Sequence, residues 1–174
     1  MEIVVVIVVV LAAIAVFIAM RPAGFKVERS TKIQAAADPI FRLVNDFHEW
    51  PAWSPWEKMD PTMQRTYEGA NSGTNAGYSW AGNNKVGSGR MTIKDSVPPE
   101  RVGIKLEFFR PMRATSDTTF TFVQQPDGTE VTWKMDGHNG FVAKAFHLFM
   151  DMDKLVGKDF ERGLDNLKGV AEKR

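Results

Sequence analysis

The sequence of 174 residues contains no cysteine. This absence excludes disulfide bonds, thiolate zinc sites, CxxC redox centres and a cysteine nucleophile. Histidine is also scarce, and the three histidines form neither an HxH nor an HExxH arrangement. Those are spacings that bring two imidazoles to one metal ion. The sequence therefore predicts no metal site.

An excess of positive charge is missing as well. The chain has 22 lysines and arginines against 21 aspartates and glutamates, a formal net charge of +1. Because nucleic-acid-binding domains usually carry a basic excess or stripe, we expect no nucleic-acid partner. The chain also lacks a nucleophile elbow, a P-loop and a dinucleotide fingerprint, since Gly87-Ser88-Gly89 has no third glycine and no helix after it. We expect no cofactor.

What the sequence does have is a long apolar run near its start. Every residue from Ile3 to Met20 is apolar. A helix of that length measures roughly 27 Å, close to the ~30 Å thickness of the hydrocarbon core of a bilayer. We therefore predict a single-pass membrane anchor over residues 1–21, which contacts the membrane through Ile3–Met20, and a folded domain over residues 22–174.

A cleaved secretory signal is the alternative for this segment. Such signals begin with a basic region, but only Met1 and Glu2 precede the run, and the cleavage-like Ala13-Ile14-Ala15 lies inside it. We favour an uncleaved anchor. Basic side chains follow the run and none precedes it, so the positive-inside rule places the domain in the cytoplasm, with the extracytoplasmic side as the alternative. The basic residues are Arg21, Lys26 and Arg29.

The domain begins with a strand and a short helix. Alternation of apolar and polar residues along Phe25–Ile33 predicts a strand. Asp38-Pro39 then predicts the start of a helix, with Asp38 as its N-cap and Pro39 in the first helical position. We expect this helix to end near Asn45–His48.

A segment rich in tryptophan and proline comes next. Trp50, Trp53 and Trp56 stand three residues apart, with Pro51 and Pro55 between them. Because proline excludes a regular element here, we expect a rigid aromatic segment. The tryptophans form either the mouth of a cavity or a structural cap over the end of the sheet. We favour the cap, because a mouth that opens needs motion.

After Asp60-Pro61 the chain becomes rich in strands. Apolar and polar residues alternate in successive runs with no helical pattern between them. Gln125-Pro126-Asp127-Gly128 predicts a tight hairpin turn between the last two runs. About six strands in this order predict an antiparallel sheet with one apolar face.

The C-terminal part carries the longest helical pattern. Apolar residues recur three to four positions apart from Val142 to Leu167, which predicts a long amphipathic helix. We interpret Gly157 and Gly163 as points of close packing rather than as breaks. An open apolar sheet face must be covered. The sequence therefore predicts an α+β fold in which a curved antiparallel sheet wraps around the long C-terminal helix.

Several stretches of the domain match a known pattern. They are the strand Val27–Ile33, the segments Ala37–Trp56, Tyr78–Asn83 and Gly87–Met91, and the stretches Leu148–Lys154 and Asp159–Glu161. In this order they resemble the helix-grip fold of the SRPBCC superfamily, which includes START-related lipid-transfer domains and birch-pollen-allergen-like proteins. The sequence is most similar to the bacterial polyketide cyclase/dehydrase and lipid transport family.

The resemblance implies a cavity between the sheet and the long helix. Large aromatic side chains leave gaps that methionine or a ligand can fill, although a solidly packed core is the alternative. The expected lining is Tyr78, Trp80, Met91, Ile93, Leu106, Phe108, Phe120, Phe122, Trp133 and Met135 on the strands, and Phe146, Phe149 and Met150 on the helix.

Polar candidates for chemistry are few. They are His138 in a loop, the pair His147 and Asp151 four residues apart, and Arg90, Arg110 and Arg113, which could reach an acidic group of a ligand. Each has a plainer interpretation as a solvated loop or surface group. We therefore predict no catalytic residue and favour a function without catalysis.

Three functions fit this sequence. The first is a membrane-tethered binding or transport module, in a bacterial cell membrane, for a hydrophobic small molecule such as a lipid, an isoprenoid or a polyketide-like compound. Tethering would raise the local concentration of the module at the bilayer. The second is a cyclase or dehydratase type of enzyme that uses the same cavity. The third is a regulatory or structural protein-interaction domain with a filled core.

Overall fold

The computed structural model describes residues 2–138, 144 and 152–173. The first element is the helix α1 (Glu2–Ala19), whose side chains are exposed except that of Ile18. Within the described residues it is the one helix that is long and apolar enough to cross a membrane. Its length and position fit a membrane anchor or a signal sequence.

Seven strands form one antiparallel sheet in the order β1-β7-β6-β5-β4-β3-β2. This confirms the predicted sheet. The β6–β7 turn falls at the predicted Gln125–Gly128, where Gly128 has a φ of 139°, a conformation that residues with a Cβ rarely adopt. The strands are β1 Gly24–Ile33, β2 Gln64–Gly69, β3 Ala76–Ala81, β4 Ser88–Val97, β5 Arg101–Arg110, β6 Ala114–Gln125 and β7 Gly128–His138.

The short helix α2 (Ala37–Asn45) ends where the sequence predicts but begins differently. The prediction that Asp38 is the N-cap was wrong: Ala36 is the N-cap, and Asp38 lies in the first turn, where it forms an ion pair with Arg42. The amide of Ala37 instead donates to Oε1 of Gln124 at 2.9 Å. The side chain of Gln124, at the end of β6, therefore accepts the hydrogen bond that a local N-cap side chain would otherwise accept.

The segment rich in tryptophan contains two 3₁₀ helices, Phe47–Ala52 and Pro55–Lys58. The prediction that proline excludes a regular element here was wrong. A 3₁₀ helix of one or two turns leaves its first amides without an internal partner, so it tolerates proline near its start. Pro55 begins the second 3₁₀ helix, as this reason requires. Pro51 lies near the end of the first, which closes with a hydrogen bond from the amide of Trp53 to the carbonyl of Trp50 rather than with an amide of its own.

The C-terminal helix α3 (Met152–Ala171) packs on the inner face of the sheet and buries Phe160, Leu164 and Leu167. It runs without a break through two glycines that make close contacts. A Cβ on Gly157 would lie 2.1 Å from Nη2 of Arg29, and one on Gly163 would lie 2.7 Å from Cζ3 of Trp133. The interpretation of both glycines as close-packing points is confirmed.

The architecture is thus an α+β helix-grip fold with an apolar N-terminal helix, as predicted. Arg29 on β1 fixes the start of α3, because its guanidinium donates to both carboxylate oxygens of Asp153 at 2.8 and 3.0 Å and to Glu161 at 2.7 Å. The first part of the predicted helical stripe, from Val142 to Phe149, lies outside the described residues.

Candidate functional site

The strand register brings all ten predicted strand residues of the lining to one face of the sheet. One row across the sheet runs through Tyr78, Met91 and Leu106, and the next runs through Ile93 and Met135. Side chains that are in register on neighbouring strands point to the same side. The face that carries them is the inner face, which α3 covers in part.

One part of the inner face is filled by other side chains. The ring of Trp133 stacks on that of Phe160 from α3, with centroids 4.1 Å apart and planes at 10°, and lies 4.6 Å from Phe120. Trp53 packs edge-on against both Phe120 and Trp133. Phe120, Phe122, Ile93 and Trp133 are buried. In this part the predicted lining residues contact protein side chains.

The tryptophans of the 3₁₀ segment belong to this filled part. Trp50 and Trp53 are buried, and their indole N–H groups donate to the carbonyls of Val44 and Leu43, each at 3.0 Å. Trp56 is half-buried and packs edge-on against Trp133 and Phe160. These contacts attach the segment firmly to α2, β6, β7 and α3.

The other part of the inner face is more open. Trp80, Met91, Leu106 and Phe108 point inward but are only half-buried. They lie where β3 and β5 end and β4 begins, and the ring of Phe108 meets that of Trp80 edge-on at 5.6 Å. Four large apolar side chains that face inward without full burial form an apolar wall.

Two buried polar atoms on the inner face have no hydrogen-bond partner among the described residues. They are Oγ1 of Thr118 on β6 and Nε1 of Trp133 on β7. Thr118 is in register with Met135, two positions from Trp133, so the two side chains are diagonal neighbours on adjacent strands. Buried polar groups are normally paired, so a bound molecule or water would find both a donor and an acceptor here.

A buried polar network lies at the β2 and β3 side of the inner face. The hydroxyl of Tyr78 donates to Oε1 of Glu57 at 2.6 Å, and Nε of Arg65 donates to Oε2 at 2.7 Å. Glu57 and Tyr78 are both buried. Burial, followed by the hydrogen bond to Glu57, raises the pKa of Tyr78 far above its ordinary value, so this phenol stays protonated and acts as a donor.

Sequence reasoning missed this network. Glu57 follows the tryptophan segment with no pattern that marks it as buried, and its partners lie on two later strands. The one signal available was the position of Tyr78 on an apolar strand face, because a buried tyrosine needs a partner for its hydroxyl.

The side chain of Asp60 holds the β3–β4 loop in place through a hydrogen bond. Oδ2 of Asp60 accepts from the amide of Asn83 at 2.7 Å, and Oδ1 accepts from the amide and the hydroxyl of Thr62 at 3.1 and 2.8 Å. The bond from Asn83, followed by that from the Thr62 hydroxyl, holds the pKa of Asp60 below its ordinary value.

Of the three arginines predicted as possible ligand contacts, Arg90 does not lie on the inner face. Arg90 is in register with Ser79 and Glu107 on the outer face, where it forms an ion pair with Glu68 at 3.0 Å. Arg110 and Arg113 are exposed at the β5–β6 turn.

The remaining candidates cannot be placed as side chains. His138 ends β7, and its side chain lies outside the described part of the chain, as do His147, Asp151 and the predicted helical lining residues Phe146, Phe149 and Met150. No group of three or more His, Asp or Glu side chains that could hold a metal ion occurs in residues 2–138, 144 and 152–173.

Comparison with known families gives one match over most of the chain. Residues 24–172 match the model of the family described as polyketide cyclase / dehydrase and lipid transport. No curated protein matches the chain.

Solved structures share this fold at low sequence identity. The chain is similar to protein CV1439 from Chromobacterium violaceum at 12% identity, with 84% of this chain and 96% of that chain covered and a TM-score of 0.62. It is similar to the di-domain ARO/CYC StfQ of the steffimycin biosynthetic pathway at 11% identity, covering 87% and 52% of the two chains, with a TM-score of 0.63. For Ara h 8.0201 the identity is 9%, the coverage 87% and 99%, and the TM-score 0.61. At these identities the likeness shows the fold alone.

Proposed function

The chain belongs to the polyketide cyclase/dehydrase and lipid transport family, and from that premise we propose that its domain binds a hydrophobic small molecule against the inner face of the sheet. The proposed lining is the open part of that face, Trp80, Met91, Leu106 and Phe108, together with the residues predicted on the segment before α3. The ligand is a lipid, an isoprenoid or a polyketide-like compound. No catalytic step is required for this function.

The observation that carries the proposal is the composition of the open part. The apolar wall there shares the inner face with two buried polar atoms, Oγ1 of Thr118 and Nε1 of Trp133, that lack partners in the described residues, and Thr118 is the diagonal neighbour of Leu106 in the wall. Sites for small molecules are typically apolar surfaces with a few polar groups that fix orientation. A mostly apolar molecule with one oxygen function matches this wall.

Native mass spectrometry of the full chain, released from mild detergent, tests the proposal. We expect an additional mass that corresponds to a bound lipid-like molecule. Leu106→Trp would fill the space beside the wall and should abolish the adduct. Thr92→Trp is the matched control, because Thr92 lies on the same pair of strands but faces outward. A chain without any adduct, or an equal loss in both variants, would contradict the proposal.

We further propose that α1 anchors the domain in a membrane. An apolar helix of 18 residues that is exposed almost throughout needs an apolar environment. The basic residues that follow it support a cytoplasmic position for the domain. A ligand site held beside a bilayer would exchange apolar molecules over a short distance.

An enzyme of the cyclase or dehydratase type is the second candidate, and one observation favours it. The Tyr78 hydroxyl, oriented by Glu57, lies in the row that contains Met91 and Leu106 of the wall. Because the one proton of this hydroxyl is donated to Glu57, the phenol oxygen can accept a hydrogen bond from a ligand hydroxyl and so hold that group in position. Under this alternative the domain removes one water from its substrate, and Tyr78→Phe would retain the unreacted substrate. That bound molecule would be heavier by one water than the product recovered from the unmodified chain.

A further inference from the structure

We propose that the β5–β6 turn with the strand ends on either side of it, residues 109–114, is a second membrane contact, which rests on an anionic lipid surface beside α1. This proposal depends on the proposed anchoring of α1. It assigns a function to a turn that the ligand site does not use.

The turn exposes two large apolar side chains. Phe109 is 49% exposed and Met112 is 45% exposed, although both lie next to the sheet that buries similar residues. Aromatic and flexible apolar side chains of this kind insert into the boundary between lipid headgroups and acyl chains. In water they only add exposed apolar surface.

The charged residues within this turn and within the neighbouring β3–β4 loop are all basic. Arg110 and Arg113 flank Pro111 and Met112, and Lys85 lies in the neighbouring β3–β4 loop. Neither residues 82–87 nor residues 109–114 include an aspartate or a glutamate. At the opposite end of the sheet, exposed Val97 and Val123 have acidic neighbours in sequence, Glu100 and Asp127. The exposed arginines and the lysine at the first end complement an anionic surface.

The two loops form one prearranged surface. Gly87 has a φ of 63°, and a Cβ there would lie 2.2 Å from the carbonyl oxygen of Arg110, so the β3–β4 loop lies directly against the end of β5. Nε of Arg110 also donates to the Ser88 hydroxyl at 3.2 Å. Lys85 is therefore held on the same end of the sheet as Arg110 and Arg113.

The strand register places this end of the sheet beside the membrane anchor. Phe25 on β1 is in register with Gly137, Ser116 and Leu106, so one row crosses from the start of β1 to the end of β5. Beyond that row β5 continues through Glu107–Arg110, about 13 Å at 3.3 Å per residue. On the β1 side, the chain from Phe25 back to Met20 spans at most about 18 Å. The short link therefore keeps the end of α1 within about 18 Å of the row from which β5 runs to the turn.

This placement also bears on how the ligand site is filled. Phe108 and Trp80 of the apolar wall lie at the same end of the sheet as the basic turn. A domain that rests on the bilayer through this end would present the open part of its inner face to the lipid. The opposite end, with Val123, would point away from the membrane.

The absence of cysteine allows a direct test with single labels. The full chain is reconstituted in nanodiscs that contain brominated phosphatidylglycerol, and a polarity-sensitive fluorophore is attached to Met112→Cys, to Val123→Cys or to Leu11→Cys. Val123 is the matched control, because it is 55% exposed at the opposite end. We expect roughly twofold or greater quenching at Met112, little at Val123 and strong quenching at Leu11. Replacing phosphatidylglycerol by brominated phosphatidylcholine should weaken quenching at Met112 only.

The controls separate this proposal from the proposed anchor. Quenching at Leu11 without quenching at Met112 would overturn the second contact and leave the anchor intact. Equal quenching at Met112 and Val123 would also overturn it, because contact would then not depend on the end of the sheet. An unquenched label at Leu11 would overturn the anchor itself, and with it this surface.

Discussion

Among individual residues, Glu57 is a buried acidic group whose charge depends on its hydrogen-bond donors. Its carboxylate is buried, its side chain is 6% exposed, and it depends on two donors, Arg65 and Tyr78. Breaking a buried ion pair by removing one partner is costly, because the remaining charge stays in a poorly solvated place.

We therefore expect Arg65→Met to lower the free energy of unfolding by about 2–4 kcal/mol. The control is Lys26→Met, which breaks the exposed pair of Lys26 with Glu28 and should lower the free energy of unfolding far less. Urea titration of the detergent-solubilised full chain measures both values. Similar costs for the two variants would show that Glu57 is not stabilised by Arg65.

Asp60 makes the stability of the β3–β4 loop depend on pH. Its pKa is lowered from the ordinary value of 3.8, so its contribution is complete above about pH 4 and is lost as the pH falls through the lowered pKa. We expect the free energy of unfolding to decline below pH 4 less steeply in Asp60→Asn than in the unmodified chain. Thermal unfolding between pH 2.5 and pH 7 checks this. If the free energy of unfolding declined equally steeply below pH 4 in both proteins, the contribution of Asp60 would be contradicted.

At the scale of helices and strands, the sequence predicted those elements whose buried residues recur at a regular spacing. The alternation along β5 and β7, the turn at Gln125–Gly128 and the three-to-four spacing along α3 are local patterns that reflect burial on one face. The start of α2 was predicted incorrectly because its cap comes from Gln124, about 90 residues away. The Glu57 network was missed for the same reason. The inward face of the candidate site was predictable, but the division into a filled and an open part depends on how Trp53, Trp133 and Phe160 pack in three dimensions.

The glycines of α3 provide a test of helix packing at this scale. Gly163→Ala would place a methyl group 2.7 Å from the ring of Trp133, which is held between Phe120 and Phe160, so we expect a loss of about 1–3 kcal/mol. Gly169→Ala meets no atom within 4 Å, and the higher helix propensity of alanine should stabilise α3 by about 0.5–1 kcal/mol. The free energies of unfolding of the two variants should therefore change in opposite directions. A gain in Gly163→Ala would contradict the close contact with Trp133.

At the scale of the whole molecule, the two ends of the sheet differ in what they expose. One end carries the short link to α1, the open part of the inner face and a turn with basic and apolar side chains. The other end carries hairpins whose exposed residues include acidic groups. If α1 is an uncleaved anchor, this asymmetry orients the entire domain on the membrane, and the charges after α1 determine the side on which it lies.

We expect the membrane-extracted protein to retain α1 and the domain to face the cytoplasm, because the basic residues Arg21 and Lys26 follow α1. Mass spectrometry of the intact chain checks cleavage, since removal at Ala13-Ile14-Ala15 would shorten the protein.

The side of the membrane on which the domain lies is tested with a single label. Val123→Cys should react with a membrane-impermeant maleimide only after the cells are permeabilised. The same label combined with Glu2→Lys, Arg21→Glu and Lys26→Glu should become partly reactive in intact cells, because the charge difference across α1 is then reversed. Labelling of Val123→Cys in intact cells without these changes would place the domain on the extracytoplasmic side.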